Sequence, residues 1–212
     1  MTPPIDHPLM PVMRAAASGR FPPVDGRVEV MPPDESGTHA VVEFTGHSFV
    51  LTDRGPDDDL FAGVDAYGGA TNPRFLTRLA GRRGWVGSLD LVMVRRVGAI
   101  TATRLPICDD VVHPRVERAL HHRHDVSVHG DERGIVTLGI GLAGRREMSI
   151  ELTGASHGGG VGRELVEGAL AHLDSDDFVF AQVAPGNAAS VRMFLACRFV
   201  PIGSEVLIEP RD

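Results

Sequence analysis

Residues 156–170 read SHGGGVGRELVEGAL. Gly158, Gly159, Gly160 and Gly162 stand at the head of a segment whose later residues recur at helical spacing. Glycine is the poorest ordinary helix former after proline, so this run lowers stability unless a bare backbone is needed there. Two readings follow. One is a flexible turn between a strand and a helix. The other is a nest of backbone N–H groups at a helix N-terminus, which holds an anion. Arg163 falls in the first helical turn, where a cation is unfavourable unless an anion lies beside it, and this favours the anion site.

Other residues with chemical capacity are less organised. His121, His122 and His124, with His113 and His129 nearby, fit no strong metal-ligand template, and no carboxylate or cysteine falls at the right offset. No metal is expected. Cys108 and Cys197 make no disulfide framework and read as small buried hydrophobes. Acidic runs at 57–59, 109–110 and 174–177 read as solvated loop charge or as the rim of a site for a cationic amine.

The elements that must position these residues belong to a globular chain. Its 212 residues are 42% hydrophobic, enough for a core in one domain or two small ones. All 21 basic residues are arginine, as a GC-rich genome gives, and the net charge of -7 argues against a nucleic-acid partner. No segment approaches the roughly 18 consecutive apolar residues of a membrane span. The proline-broken start lacks the apolar stretch of a signal peptide, so no membrane partner and a cytoplasmic location are the expectation.

Residues 1–25 are proline-rich without periodicity and read as a tail. Residues 39–51 read as two strands turned at Gly46, residues 73–80 as a short helix, and residues 86–96 as a strand. Residues 114–123 have the look of a helix. Three alternating segments follow, through Val126 and Val128, then Val136, Leu138 and Ile140, then Met148, Ile150 and Leu152, which makes an antiparallel meander. Val161, Leu165, Ala169 and Leu173, widened by Val166 and Leu170, form the stripe of a helix packed on a sheet. Residues 178–183 read as a buried strand, residues after the cap residue Asn187 as a helix, and residues 199–209 as a closing strand or hairpin.

In this order the second half resembles the GNAT N-acetyltransferase superfamily. The family's pyrophosphate motif falls on His157, Gly158, Gly159, Gly160, Val161 and Gly162, and its second motif on Asn187, Ser190 and Phe199. The resemblance implies a mixed α/β (α+β) fold with a mostly antiparallel central sheet flanked by helices over 106–212; residues 26–105 read from their own pattern as an additional α+β region that completes the substrate cleft or forms a degenerate second half. It implies acetyl-CoA, or another acyl-CoA, as co-substrate. The pyrophosphate would lie over Gly158 to Gly162 beside Arg163, with Gly160 and Gly162 leaving room where a Cβ would collide. The pantetheine arm would pair with the backbone around Ile150 to Leu152, and Asn187 would bond to the cofactor. The acceptor would be a small-molecule or peptide amine, with a homodimer as a compatible assembly.

The chain departs from the family pattern at identifiable positions. His157 replaces an arginine or glutamine. Phe194 stands where a tyrosine usually protonates the departing thiolate, although its spacing with Cys197 also puts it on the inward side of its helix. Tyr67, the one tyrosine, lies in the other half. Arg198 replaces a glycine. Arg146 or Ser149 stands where relatives carry a base, with Glu147 and Glu151 beside them. Alternation sets Glu147, Ser149 and Glu151 on the face opposite Met148, Ile150 and Leu152. Glu147 is the favoured base, with Glu151 or a water behind it. The expected activity is direct N-acyl transfer; the alternative is a non-catalytic acyl-CoA sensor that has lost its acid and base.

Overall fold

The computed structural model describes residues 7–154 and 159–211. The chain divides into two compact units, Met1–Val92 with Ile202–Asp212, and Met93–Pro201. The division expected near residue 105 therefore lies earlier, and the last residues belong to the first unit. The reason is pairing between strands remote in sequence. Strand β2 (His39–Phe44) receives the last strand, β10 (Val200–Glu209), in antiparallel register from Ser204↔Glu43 to Ile208↔His39.

In the first unit the expected tail contains a helix, α1 (Leu9–Ala17), with Leu9, Met10, Met13 and Ala16 buried on one face. Pro11 sits in its first turn, where the amide it lacks would have no helical partner. Strand β1 (Val28–Met31) runs parallel to β3 (His47–Leu51), and β2 turns into β3 through Gly46 at φ 66°. Helix α2 (Pro73–Ala80) is capped by Asn72, whose side chain accepts from the Arg74 amide. Its Phe75, Leu76 and Leu79 pack with Val41, Val50, Leu60 and Ile208. The single strand expected over 86–96 is two. The short β4 (Trp85–Val86) pairs with β10, and β5 (Asp90–Arg96) follows after a break in which the Gly87 amide bonds to the Leu207 carbonyl.

The second unit orders its strands as β5, β9 (Phe178–Val183), β8 (Arg146–Leu152), β7 (Gly134–Ile140) and β6 (His124–Asp131). The last three form the antiparallel meander that their alternation requires. Helix α3 (Pro114–His122) lies on the face that carries Glu151, to which Arg115 reaches. Helix α4 (Val161–Leu170) lies on the other, where Gly162 approaches Ile150 and Leu152. Helix α5 (Ala188–Ala196) follows β9. The class is mixed α+β with mostly antiparallel strands and flanking helices. Among the described residues no helix is long and apolar enough to cross a membrane.

Candidate functional site

The second unit contains a wedge between two parallel strands. β8 pairs with β9 at Arg146↔Val179 and Glu147↔Phe180, and the two strands then run on to Leu152 and Val183 beyond that register. The opposite edge of β8 is paired with β7 along its whole length, from Ile140↔Arg146 to Gly134↔Leu152. The backbone of Ser149, Ile150, Glu151 and Leu152 therefore has its β9-facing edge at the open end of the wedge. Ile150 and Leu152 are only half-buried there, whereas Met148 is fully buried.

The N-terminus of α4 follows β8. Gly159 and Gly160 have φ 62° and 87°, a left-handed pair that L side chains adopt only with strain. Among the described residues a Cβ at either would meet nothing within 4 Å, so the backbone conformation is what requires glycine. Gly160 is the cap and offers no side-chain acceptor to the first-turn amides of Val161, Gly162 and Arg163. Arg163 is exposed at this end. Gly162 differs from expectation. Its Cβ would lie 3.3 Å from Met193 and 3.6 Å from Leu152, so it packs α4 against β8 and α5 rather than leaving room for a ligand. His157 and Gly158 lie outside the described residues.

Glu147 is not a base on an open face. Its carboxylate accepts from Arg145 Nε at 2.7 Å and Arg123 Nε at 2.8 Å, and all three side chains are buried or nearly so. Burial pushes the Glu147 carboxyl up, but the charges of Arg145 and Arg123 and their hydrogen bonds outweigh it and hold the group below the usual glutamate range. The bare Cα of Gly141 makes the space for this carboxylate, and the Arg145 guanidinium lies over the Phe180 ring at 5.5 Å. Arg123 also donates to Thr137 Oγ1 at 3.3 Å and Gln182 Oε1 at 3.2 Å, and Thr137 bonds to Ser149 Oγ at 2.7 Å. Ser149 is thus the wedge-side end of a polar network. Glu151 remains half-exposed, with Oε2 accepting from Arg115 at 2.7 and 3.1 Å. Sequence reading missed Arg123, Arg145, Thr137 and Gln182; the one signal was Gly141, a glycine where a side chain would strike a carboxylate.

The second motif is a helix cap. Asn187 Oδ1 accepts from the Ser190 amide at 3.1 Å, which starts α5. Phe194 is 3% exposed and meets Phe199 edge-on at 4.9 Å, so it packs in the core. Burial pushes the Cys197 thiol up to about 11, as for a small buried core residue. Arg198, in the family's glycine place, keeps a left-handed φ of 62°. Of the histidines, His113 caps α3 by accepting from the Arg115 amide, His121 and His122 pack edge-on with ring centroids 4.5 Å apart, and His129 is buried against His172.

No family model matches the sequence, and a search of curated proteins finds no match. Solved structures give distant likenesses. A GCN5-related N-acetyltransferase from Kribbella flavida matches at 11% identity and TM-score 0.36, over 59% of this chain and 59% of that one. A protein assigned to the GNAT family from Novosphingobium aromaticivorans matches at 12% identity and TM-score 0.36, over 60% and 66%. A conserved protein of unknown function from Staphylococcus epidermidis matches at 12% and 0.41, over 85% and 82%. The matched part of the first spans about three fifths of its length.

Proposed function

We propose that the chain is an acyl-CoA-dependent N-acyltransferase of the cytoplasm, transferring an acetyl or longer acyl group from the thioester to a small-molecule or peptide amine. The observation that carries the reading is the wedge: β8 leaves β9 after two residue pairs, and α4 begins beside it at a bare left-handed glycine whose missing Cβ would meet none of the described residues. A pantetheine arm has peptide-like amides, and the free edge of β8 from Ser149 to Leu152 matches them as a strand would. The first-turn amides of α4, with Arg163, suit a pyrophosphate.

In this reading the neutral amine attacks the thioester carbonyl carbon, the new C–N bond forms as C–S breaks, and the sulfur leaves as thiolate. A thiol is acidic enough to leave without the missing tyrosine, its pKa of about 8.5 lying far below that of an alcohol. The ammonium proton goes to Glu151, directly or through water; Glu147 is held by its two arginines and takes no part. The burial of Phe194 favours a second reading, an acyl-CoA sensor without turnover.

Thermal shift with CoA, acetyl-CoA and longer acyl-CoAs, followed by thiol release with an amine panel, tests both. A ligand-dependent rise in melting temperature is expected. Release above buffer supports transfer; binding without release leaves the sensor; no stabilisation by any CoA species overturns both.

A further inference from the structure

The first unit has a groove of its own. α2 turns Phe75, Leu76, Leu79 and Ala80 into the core, which leaves Arg74, Thr77 and Arg78 outward. With Arg54, Asp58, Asp59 and Arg82 they line a groove of about 780 Å³, a size typical of small-molecule sites. Arg54 is engaged by Asp58, Nη1 to Oδ2 at 3.0 Å, and Asp58 also accepts from the Leu60 amide at 2.8 Å. Among the described residues Arg74, Arg78 and Arg82 form no direct ion pair, although the Asp58 charge also acts on Arg78, so four guanidiniums share the groove with the two carboxylates of Asp58 and Asp59. This is a local excess of positive charge in a chain whose net charge is -7. Like charges four residues apart destabilise a helix, and the Asp58 charge offsets the Arg74 and Arg78 pair only at Arg78, which leaves room for a further anion beside Arg74.

We propose that this groove binds a small organic molecule bearing two oxyanion groups, phosphate or carboxylate, about one helical turn apart. The spacing follows from four residues at 1.5 Å rise, roughly 6 Å along α2. The planar guanidinium fork takes either oxyanion in bidentate fashion. Leu60 and Pro73, which also line the groove, give an apolar wall for the carbon skeleton. The site is independent of the acyl-CoA reading.

Calorimetry on the intact chain tests it, with sodium pyrophosphate and with citrate as probes, and with orthophosphate at matched ionic strength. One of the two-centre anions is expected to bind at least tenfold tighter than orthophosphate, and the tighter of the two identifies phosphate or carboxylate as the source. The double variant Arg74→Gln with Arg78→Gln should lose at least tenfold in affinity, and Arg82→Gln, beyond the end of α2, should weaken binding without touching the helix. Arg20→Gln, exposed elsewhere, should bind as wild type. Three results overturn the proposal: no saturable binding, equal affinity for orthophosphate, or binding that survives in both groove variants. Pyrophosphate binding lost in Gly160→Val but kept in the groove variants belongs to the α4 turn instead, and also overturns it.

Discussion

Arg123 donates Nε to Glu147 Oε2 at 2.8 Å and, through Nη2, reaches Gln182 Oε1 on the neighbouring strand at 3.2 Å. The guanidinium therefore ties β8 to β9 beside Glu147↔Phe180, the last pair before the strands leave register. A buried cation that spans the base of the wedge makes Glu147 structural: the carboxylate balances charge where two arginines converge.

Glu147→Gln is expected to destabilise the chain by about 3 to 5 kcal/mol, because it leaves Arg145 and Arg123 under-compensated in the core. The pH dependence has a definite sign. Since the folded carboxyl ionises below its unfolded value, its contribution is full above about pH 4.3 and is lost as pH falls through the lower folded pKa. Urea denaturation at pH 7 and at stepwise lower pH should show the wild type and Glu147→Gln converging in acid. Parallel curves would contradict the ion cluster.

Glu151→Gln separates acid–base chemistry from stability. In a chain with transferase activity, turnover on a good amine at pH 7 should drop by roughly 10²-fold or more, with acyl-CoA affinity unchanged. The loss should shrink as pH rises toward the amine pKa of about 10 and free amine accumulates. An equal loss at every pH would point to positioning through Arg115.

Gly160 and Gly162 should fail in different ways. Gly160→Ala should cost about 1 to 3 kcal/mol through its left-handed φ, and in a chain that binds acyl-CoA at this turn Gly160→Val should abolish that binding. Gly162→Val should instead cost about 1 to 3 kcal/mol by overpacking against Met193 and Leu152. Calorimetric affinity and melting temperature, measured together, distinguish the two.

Phe194→Tyr should lower stability by about 1 to 3 kcal/mol, since its hydroxyl enters the packed contact with Phe199 without a partner. No gain in thiol release is expected. Higher turnover at unchanged stability would put residue 194 beside the leaving thiolate after all.

His129 sets a second pH dependence. Burial and then the neighbouring His172 hold its imidazole below the usual histidine range. The unfolded chain therefore binds more protons there, and stability is full above about pH 6.5 and falls as pH drops below it. The urea midpoint of His129→Leu should change less between pH 7.5 and 5.5 than that of the wild type; equal slopes would exclude His129 as the source.

The sequence alone determined the elements whose signals are local. Pro73 opens α2, and the period of Phe75, Leu76 and Leu79 carries it to Ala80. Strict alternation through Val136, Leu138 and Ile140 and through Met148, Ile150 and Leu152 gives the meander its faces. Consecutive glycines mark the backbone at α4, because only they take φ 62° and 87° without strain. Tertiary structure decided the rest. Helix α1 hides behind Pro8 and Pro11 and is held by burial of Leu9, Met10 and Met13, a property of what covers them. β10 belongs to the first unit because it pairs with β2, more than half the chain away. Alternation put Glu147 on the face of Ser149 and Glu151, but how deep that face lies depends on Arg123 arriving from the end of α3 and Arg145 from the turn before β8. A strand's period tells which side a residue takes; whether that side meets water, a ligand or a guanidinium is set by chain that arrives from elsewhere.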